Sequence, residues 1–135
     1  MEKEKESERS VYLFLCGAAE KRSPAAARIA KDLAGKRNLN ICSFYAPIIR
    51  VFYKFKDKSS FLVKSPDLPD MNLTYEPREQ DKIFVMEKYM KDLIESTGYK
   101  GDITCLNVPI HLSADEQDLD RVLKSKLEKY FDELA

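Results

Sequence analysis

Val11-Tyr12-Leu13-Phe14-Leu15-Cys16-Gly17-Ala18-Ala19-Glu20-Lys21-Arg22-Ser23-Pro24 changes character twice along its length. Residues 11–15 are β-formers without polar alternation, the pattern of a central strand covered on both faces. From Cys16 to Ser23 small and charged residues take over. Pro24 suits the first turn of a helix, where its missing N–H and fixed φ cost nothing, and Ser23 before it suits the cap. Ile29, Ala30, Leu33 and Ala34 continue as an apolar stripe, with Gly35 or Asn38 as the stop. A strand, a tight turn and a helix in this order open an α/β domain.

The rest of the chain repeats the alternation. A second strand fits Leu39 to Phe44 and a third fits Ile83 to Met86. A helix follows with Tyr89, Met90, Leu93 and Ile94 on one face, stopped by Gly98. A fourth strand fits Ile103 to Val108, and Ser113 with Glu116 has capping-box spacing ahead of a last helix. That helix carries Leu119, Val122, Leu123, Leu127, Tyr130, Phe131 and Leu134 along one side. Strands alternating with helices predict a parallel sheet with right-handed crossovers. Between residues 46 and 80 the pattern weakens. Ile48 to Phe55 fits a helix or a strand, and Pro66, Pro69 and Pro77 make the remainder read as extended loop.

At 135 residues the chain is expected to form one domain over residues 11–135, behind a charged, disordered tail over residues 1–10. Its 44% hydrophobic and 34% charged residues suit a folded globule. The 23 basic and 23 acidic residues cancel, so no global positive field favours nucleic acid, and any anion site must be local. Nothing in the sequence reads as a signal peptide or a membrane span. Three cysteines, an odd number without zinc-type spacing, point to free thiols, a cytoplasmic location, and no metal or cofactor.

In a parallel α/β sheet ligands bind beyond the carboxyl ends of the strands, and residues 16–23 occupy the first such turn. Gly17, Ala18 and Ala19 let the backbone curl so that the N–H groups of residues 17–23, through Glu20, Lys21, Arg22 and Ser23, converge on an anion at a helix N-terminus. Arg22 offers a planar fork to two phosphate oxygens, and the same positive surroundings favour a Cys16 thiolate. The Cys-x5-Arg spacing alone is weak; the strand before it and the Ser-Pro helix start after it give it weight. Cys42 and Cys105 lie inside predicted strands and are assigned to packing.

At these residues the chain resembles the low-molecular-weight protein tyrosine phosphatase superfamily, particularly its small microbial branch. Leu13-Phe14-Leu15-Cys16 and Arg22-Ser23-Pro24 are similar to the family's opening motif, Asp81-Lys82-Ile83-Phe84-Val85-Met86-Glu87 to its third strand, and Leu106-Asn107-Val108-Pro109 to its closing segment. The resemblance implies a three-layer α/β/α sandwich of the phosphatase-I-like kind with a four-stranded parallel sheet. It also implies phosphate-monoester hydrolysis through a phosphocysteine on Cys16, with Arg22 holding the equatorial oxygens and Ser23 supporting the thiolate. A phosphorylated protein or a small aryl phosphate is the implied substrate.

The chain departs from the family pattern at three places. Ala19 stands where the family usually has Asn, Glu20 brings a carboxylate into the loop, and Val108-Pro109-Ile110-His111-Leu112 replaces a run in which the family carries its catalytic Asp. His111, the only histidine, becomes the candidate general acid, with Asp115 and Asp118 as substitutes. The same departures leave a second expectation open, a non-catalytic phosphate-binding or regulatory module on this fold. Phe44, Tyr45, Phe52, Tyr53 and Phe55 form a candidate aromatic wall beside the site, or part of the core.

Overall fold

The computed structural model describes residues 10–17, 21–57, 59–76, 78 and 81–134. The chain runs β1 (Ser10–Cys16), α1 (Arg22–Lys36), β2 (Ile41–Pro47), α2 (Ile48–Asp57), β3 (Phe61–Ser65), β4 (Leu68–Tyr75), β5 (Lys82–Val85), α3 (Lys88–Glu95), β6 (Asp102–Cys105), a 3₁₀ turn (Ile110–Ala114) and α4 (Glu116–Leu134). One sheet holds the strands in the order β4-β3-β2-β1-β5-β6. Ser10, assigned by sequence to the tail, begins β1 instead, because its N–H donates to the Asn40 carbonyl at 3.3 Å. Residues 1–9 lie outside the described part.

β1 lies at the centre because it is apolar on both faces, and Leu13, Phe14 and Leu15 have no exposed surface. Parallel β2 flanks it on one side, from Ser10 opposite Ile41 to Cys16 opposite Pro47. Parallel β5 flanks it on the other, and parallel β6 continues beyond β5. These are the four parallel strands expected. From β1 to β2 the chain steps one way across the sheet, and from β5 to β6 the other way. Right-handed crossovers therefore place α1 and α3 on opposite faces. α4 packs against α1 and α2 against α3, which completes three layers.

The sheet has six strands rather than four. Residues expected as loop form the β3–β4 hairpin, in which Phe61 pairs with Tyr75 and Val63 with Leu73. β3 joins β2 at one antiparallel pair, Tyr45 with Lys64. Pro66 sits in the turn of the hairpin and Pro69 in the edge strand, two places where a missing backbone N–H breaks no central ladder. The ambiguous segment from Ile48 resolves as helix α2, whose Val51 and Phe55, four apart, turn inward.

Other boundaries move for local reasons. Asn38 takes φ 55° and the Leu39 N–H donates to the Ala34 carbonyl at 2.9 Å, so Leu39 closes α1 and β2 starts later than expected. Gly98 stops the segment after α3 with φ 89°. Ser113 does not cap α4. Asp115 does, its Oδ1 accepting the N–H of Gln117 at 2.9 Å and of Asp118 at 3.2 Å.

Packing under α1 is close because its inner face is built from Ala26, Ala27, Ala30 and Ala34, with Ile29 and Leu33 reaching deeper. Leu119, Leu123, Leu127 and Phe131 of α4 are buried at every fourth position. Phe14 and Phe84 stack across the centre with ring centroids 4.7 Å apart. Among the described residues no helix is long and apolar enough to cross a membrane.

Candidate active site

The strand order reverses direction at β1, between β2 and β5, and the carboxyl ends of the strands there form the crevice where open α/β sheets hold ligands. Cys16 is the last residue of β1 and is buried. Its Sγ lies 3.1 Å from the Ser23 Oγ, and Ser23 has no exposed surface. Sequence placed Ser23 at the helix cap. In the structure α1 begins two residues earlier than Pro24, at Arg22, and the cap position Lys21 makes no side-chain cap bond. The Ser23 hydroxyl is thereby turned to the sulfur instead of the backbone. If the sulfur is ionised, the hydroxyl must be the donor, which stabilises the negative charge.

Arg22 is 4% exposed, a burial that a guanidinium tolerates only when its charge and N–H groups are matched. Nη1 donates to Glu87 Oε1 at 2.6 Å and to the Val108 carbonyl at 2.8 Å. A β-carbon placed on Gly17 would stand 4.0 Å from Nη2, so the other arm of the fork faces the start of the turn. Ala18, Ala19 and Glu20 lie outside the described residues. Of the residues expected to form the nest, Gly17 and Lys21 to Ser23 are described.

Glu87 and Val108 reach Arg22 through strand register. Leu15 pairs with Val85, which carries residue 87 just past the end of β5, level with the turn after β1. The last strand continues past Cys105, with the Leu106 N–H donating to the Val85 carbonyl and the Val108 N–H to the Met86 carbonyl, both at 2.8 Å. Asn107 between them has φ 56°, a left-handed conformation that asparagine tolerates, and it ends the regular ladder there. Sequence reasoning passed over Glu87. Its position directly after the third parallel strand was the available signal.

His111 lies on the 3₁₀ turn and is exposed. The Lys21 Nζ donates to the Ser113 carbonyl at 3.2 Å, which ties that turn to the residue before Arg22. Asp115 is engaged in capping α4, and Asp118 pairs with Arg121 at 3.0 Å. The candidate aromatic wall does not form as a unit. Phe55 packs on Phe61 and Tyr99, Phe44 on Tyr75, and Tyr53 is 60% exposed. Tyr45 alone of the five lines the cleft beside Lys21 and Pro24, a space of about 530 Å³. Burial, then the Asp70 charge, raise the Tyr45 hydroxyl above its ordinary pKa. No disulfide joins the three cysteines, and the described residues contain no cluster of His, Cys, Asp or Glu able to hold a metal.

No protein-family model and no curated protein matches the sequence. Solved structures do match. YfkJ from Bacillus subtilis aligns with a TM-score of 0.63 at 19% identity, over 94% of this chain and 95% of that one. The protein tyrosine phosphatase of Entamoeba histolytica, with Hepes in its active site, aligns at 0.61 and 16% identity, over 93% and 96%. A low-molecular-weight phosphotyrosine phosphatase from Vibrio cholerae O395 aligns at 0.60 and 16% identity, over 93% and 96%. At these identities the likeness is one of fold.

Proposed function

From a chain that has the fold of the low-molecular-weight protein tyrosine phosphatases, we propose a phosphate-monoester hydrolase that works through Cys16. One observation carries the proposal: at the carboxyl end of the central strand, a cysteine Sγ stands 3.1 Å from a buried serine hydroxyl, next to a buried arginine. In a protein interior this trio has little use as packing, and a tetrahedral dianion is the ligand that matches it.

The chemistry runs in two displacements. Cys16 Sγ, as thiolate, attacks phosphorus; a P–S bond forms while the ester P–O bond breaks, and the leaving oxygen takes a proton from an acid, the role proposed for His111. Water then attacks the phosphocysteine. The P–S bond breaks, its electron pair returns to sulfur, and inorganic phosphate leaves. Arg22 stabilises the equatorial oxygens in both steps, and the Ser23 hydroxyl stabilises the sulfur whenever it is a leaving group. A phosphorylated protein or a small aryl phosphate is the substrate class, and phosphotyrosine is the form that the fold suggests.

A second function has a specific observation in its favour. Asp115 and Asp118 are both committed elsewhere, so neither stands ready to replace the carboxyl acid of the family pattern. A phosphate-binding module without turnover would show that feature. Purified protein given phenyl phosphate and p-nitrophenyl phosphate separates the two: release of phosphate that disappears in Cys16→Ser, with vanadate binding retained, supports the hydrolase. Vanadate binding without any release supports the module.

A further inference from the structure

The two arms of the Arg22 guanidinium have different surroundings. Among the described residues, Nη1 carries both of the side chain's hydrogen bonds to protein acceptors, to Glu87 Oε1 at 2.6 Å and to the Val108 carbonyl at 2.8 Å, while Nη2 is the atom that approaches Gly17. We infer that Glu87 is a positioning residue for the anion site: it holds Nη1 so that the edge formed by Nε and Nη2 is presented to the phosphate. The inference rests on the phosphate-site reading above.

Physical reasons favour a clamp over a casual surface pair. Arg22 is 4% exposed and its helix begins at that residue, so its Cα is fixed while the long side chain still has several rotatable bonds. Two acceptors on one nitrogen, one of them charged, fix the plane of the guanidinium as well as its position. They come from different strands, Glu87 after β5 and Val108 after β6, so the clamp is braced by the sheet and not by the loop. A bidentate grip needs such a plane, because both N–H bonds must point at the oxygens together. The carboxylate of Glu87 is itself 33% exposed, so solvent screens much of its repulsion toward a bound dianion.

The test uses the full chain, with sodium vanadate and inorganic phosphate as probes, titrated calorimetrically into the unaltered protein and into Glu87→Ala, Glu87→Asp and Glu87→Gln. Glu87→Gln keeps an acceptor oxygen at the same reach, and its affinity should stay within about threefold. Glu87→Asp keeps the charge but is one methylene short, and with Glu87→Ala it should bind roughly 10–100-fold more weakly, the range for a lost charge-assisted hydrogen bond. If Glu87→Ala fails to fold, Glu87→Asp carries the comparison. A readout that mere stability would not move is the nitrogen NMR of Arg22: separate Nη1 and Nη2 signals in the unaltered protein should merge in Glu87→Asp as the guanidinium rotates freely. Equal oxyanion affinity in a folded Glu87→Asp and the unaltered protein would overturn the positioning role and leave the phosphate site standing. No oxyanion binding by the unaltered protein would overturn the phosphate site itself.

Discussion

The Tyr75 hydroxyl lies 2.5 Å from Oδ2 of Asp81, a carboxylate with no exposed surface. The same carboxylate accepts the Val11 N–H at 3.1 Å and three donors of Arg78, its N, Nε and Nη2. One side chain thus joins the end of the hairpin, the start of β5 and the start of β1. The lone antiparallel pair between β2 and β3 would be a weak attachment for a hairpin, and the Asp81 cluster supplies a second one.

Asp81→Ala should be among the most damaging single changes, because it removes the acceptor that a buried phenol, a buried backbone N–H and a half-covered guanidinium share. A loss of about 3–5 kcal/mol is expected, against about 1–2 for Tyr75→Phe, which removes one donor and leaves the others in place. Urea unfolding of both variants checks the order. A Tyr75→Phe loss as large as that of Asp81→Ala would show that the hydroxyl, and not the carboxylate, organises the cluster.

At the other end of the sheet, Arg22→Lys should lose oxyanion affinity and rate together. An ammonium cannot serve Glu87, Val108 and a ligand through one plane, and a lost charge-assisted pair is worth roughly 10–100-fold. Ser23→Ala should differ in kind. It removes the hydroxyl 3.1 Å from Cys16 Sγ, so phosphate binding should change little while turnover falls roughly tenfold or more. Steady-state kinetics alongside vanadate titration distinguishes the two. A Ser23→Ala protein with undiminished turnover would take the hydroxyl out of the chemistry.

How much of this was legible beforehand differs from residue to residue. Residues 11–24 could be read directly, since the change from an apolar run to small residues to Ser-Pro is local, and strand, turn and helix follow from it. The hairpin was missed because Pro66 and Pro69 argue against a central strand, and nothing local says that β4 is an edge. Cys16 and Arg22 stand within one turn of chain and were singled out by their spacing, whereas Ser23 reads locally as a helix cap and was tied to the thiolate only through the family resemblance. Glu87 is 65 residues from Arg22 and meets it only through the β1–β5 register. Val108 contributes a backbone carbonyl, which no side-chain pattern encodes. Ser113 and Asp115 are both good caps, and only the backbone path decides between them.

Alkaline pH should unfold the protein through its core tyrosines. Burial first, then the neighbouring Tyr130, push the Tyr12 hydroxyl from 10.0 up to about 12, and burial followed by the bond to Asp81 raises Tyr75 further. Between those two values the unfolded chain has given up a proton that the folded chain keeps, so the unfolded state binds fewer protons and stability falls as pH rises. The contribution is complete below about pH 10 and gone above about pH 12. A gap of two units corresponds to about 2–3 kcal/mol from Tyr12 alone. Denaturant titrations across this range should show the decline in the natural protein and a shallower one in Tyr12→Phe. Equal slopes in both would place the titrating group elsewhere.

His111 is the remaining candidate for the proton that the leaving oxygen needs. It lies two residues past the closing segment and is exposed on the 3₁₀ turn that Lys21 ties to the start of α1, while Asp115 and Asp118 are held in a cap and an ion pair. A histidine can deliver a proton to a departing alkoxide or phenoxide, a service worth roughly 10²–10⁴ in rate. The need for that proton depends on the ester. Nitrophenolate leaves readily as an anion, whereas phenolate does so slowly. His111→Ala should therefore slow phenyl phosphate by a large part of that range and p-nitrophenyl phosphate by less than roughly tenfold, steepening the dependence of rate on leaving-group pKa. If His111→Ala leaves the leaving-group dependence unaltered, the histidine donates no proton, and the hydrolase would have to expel its leaving groups unaided.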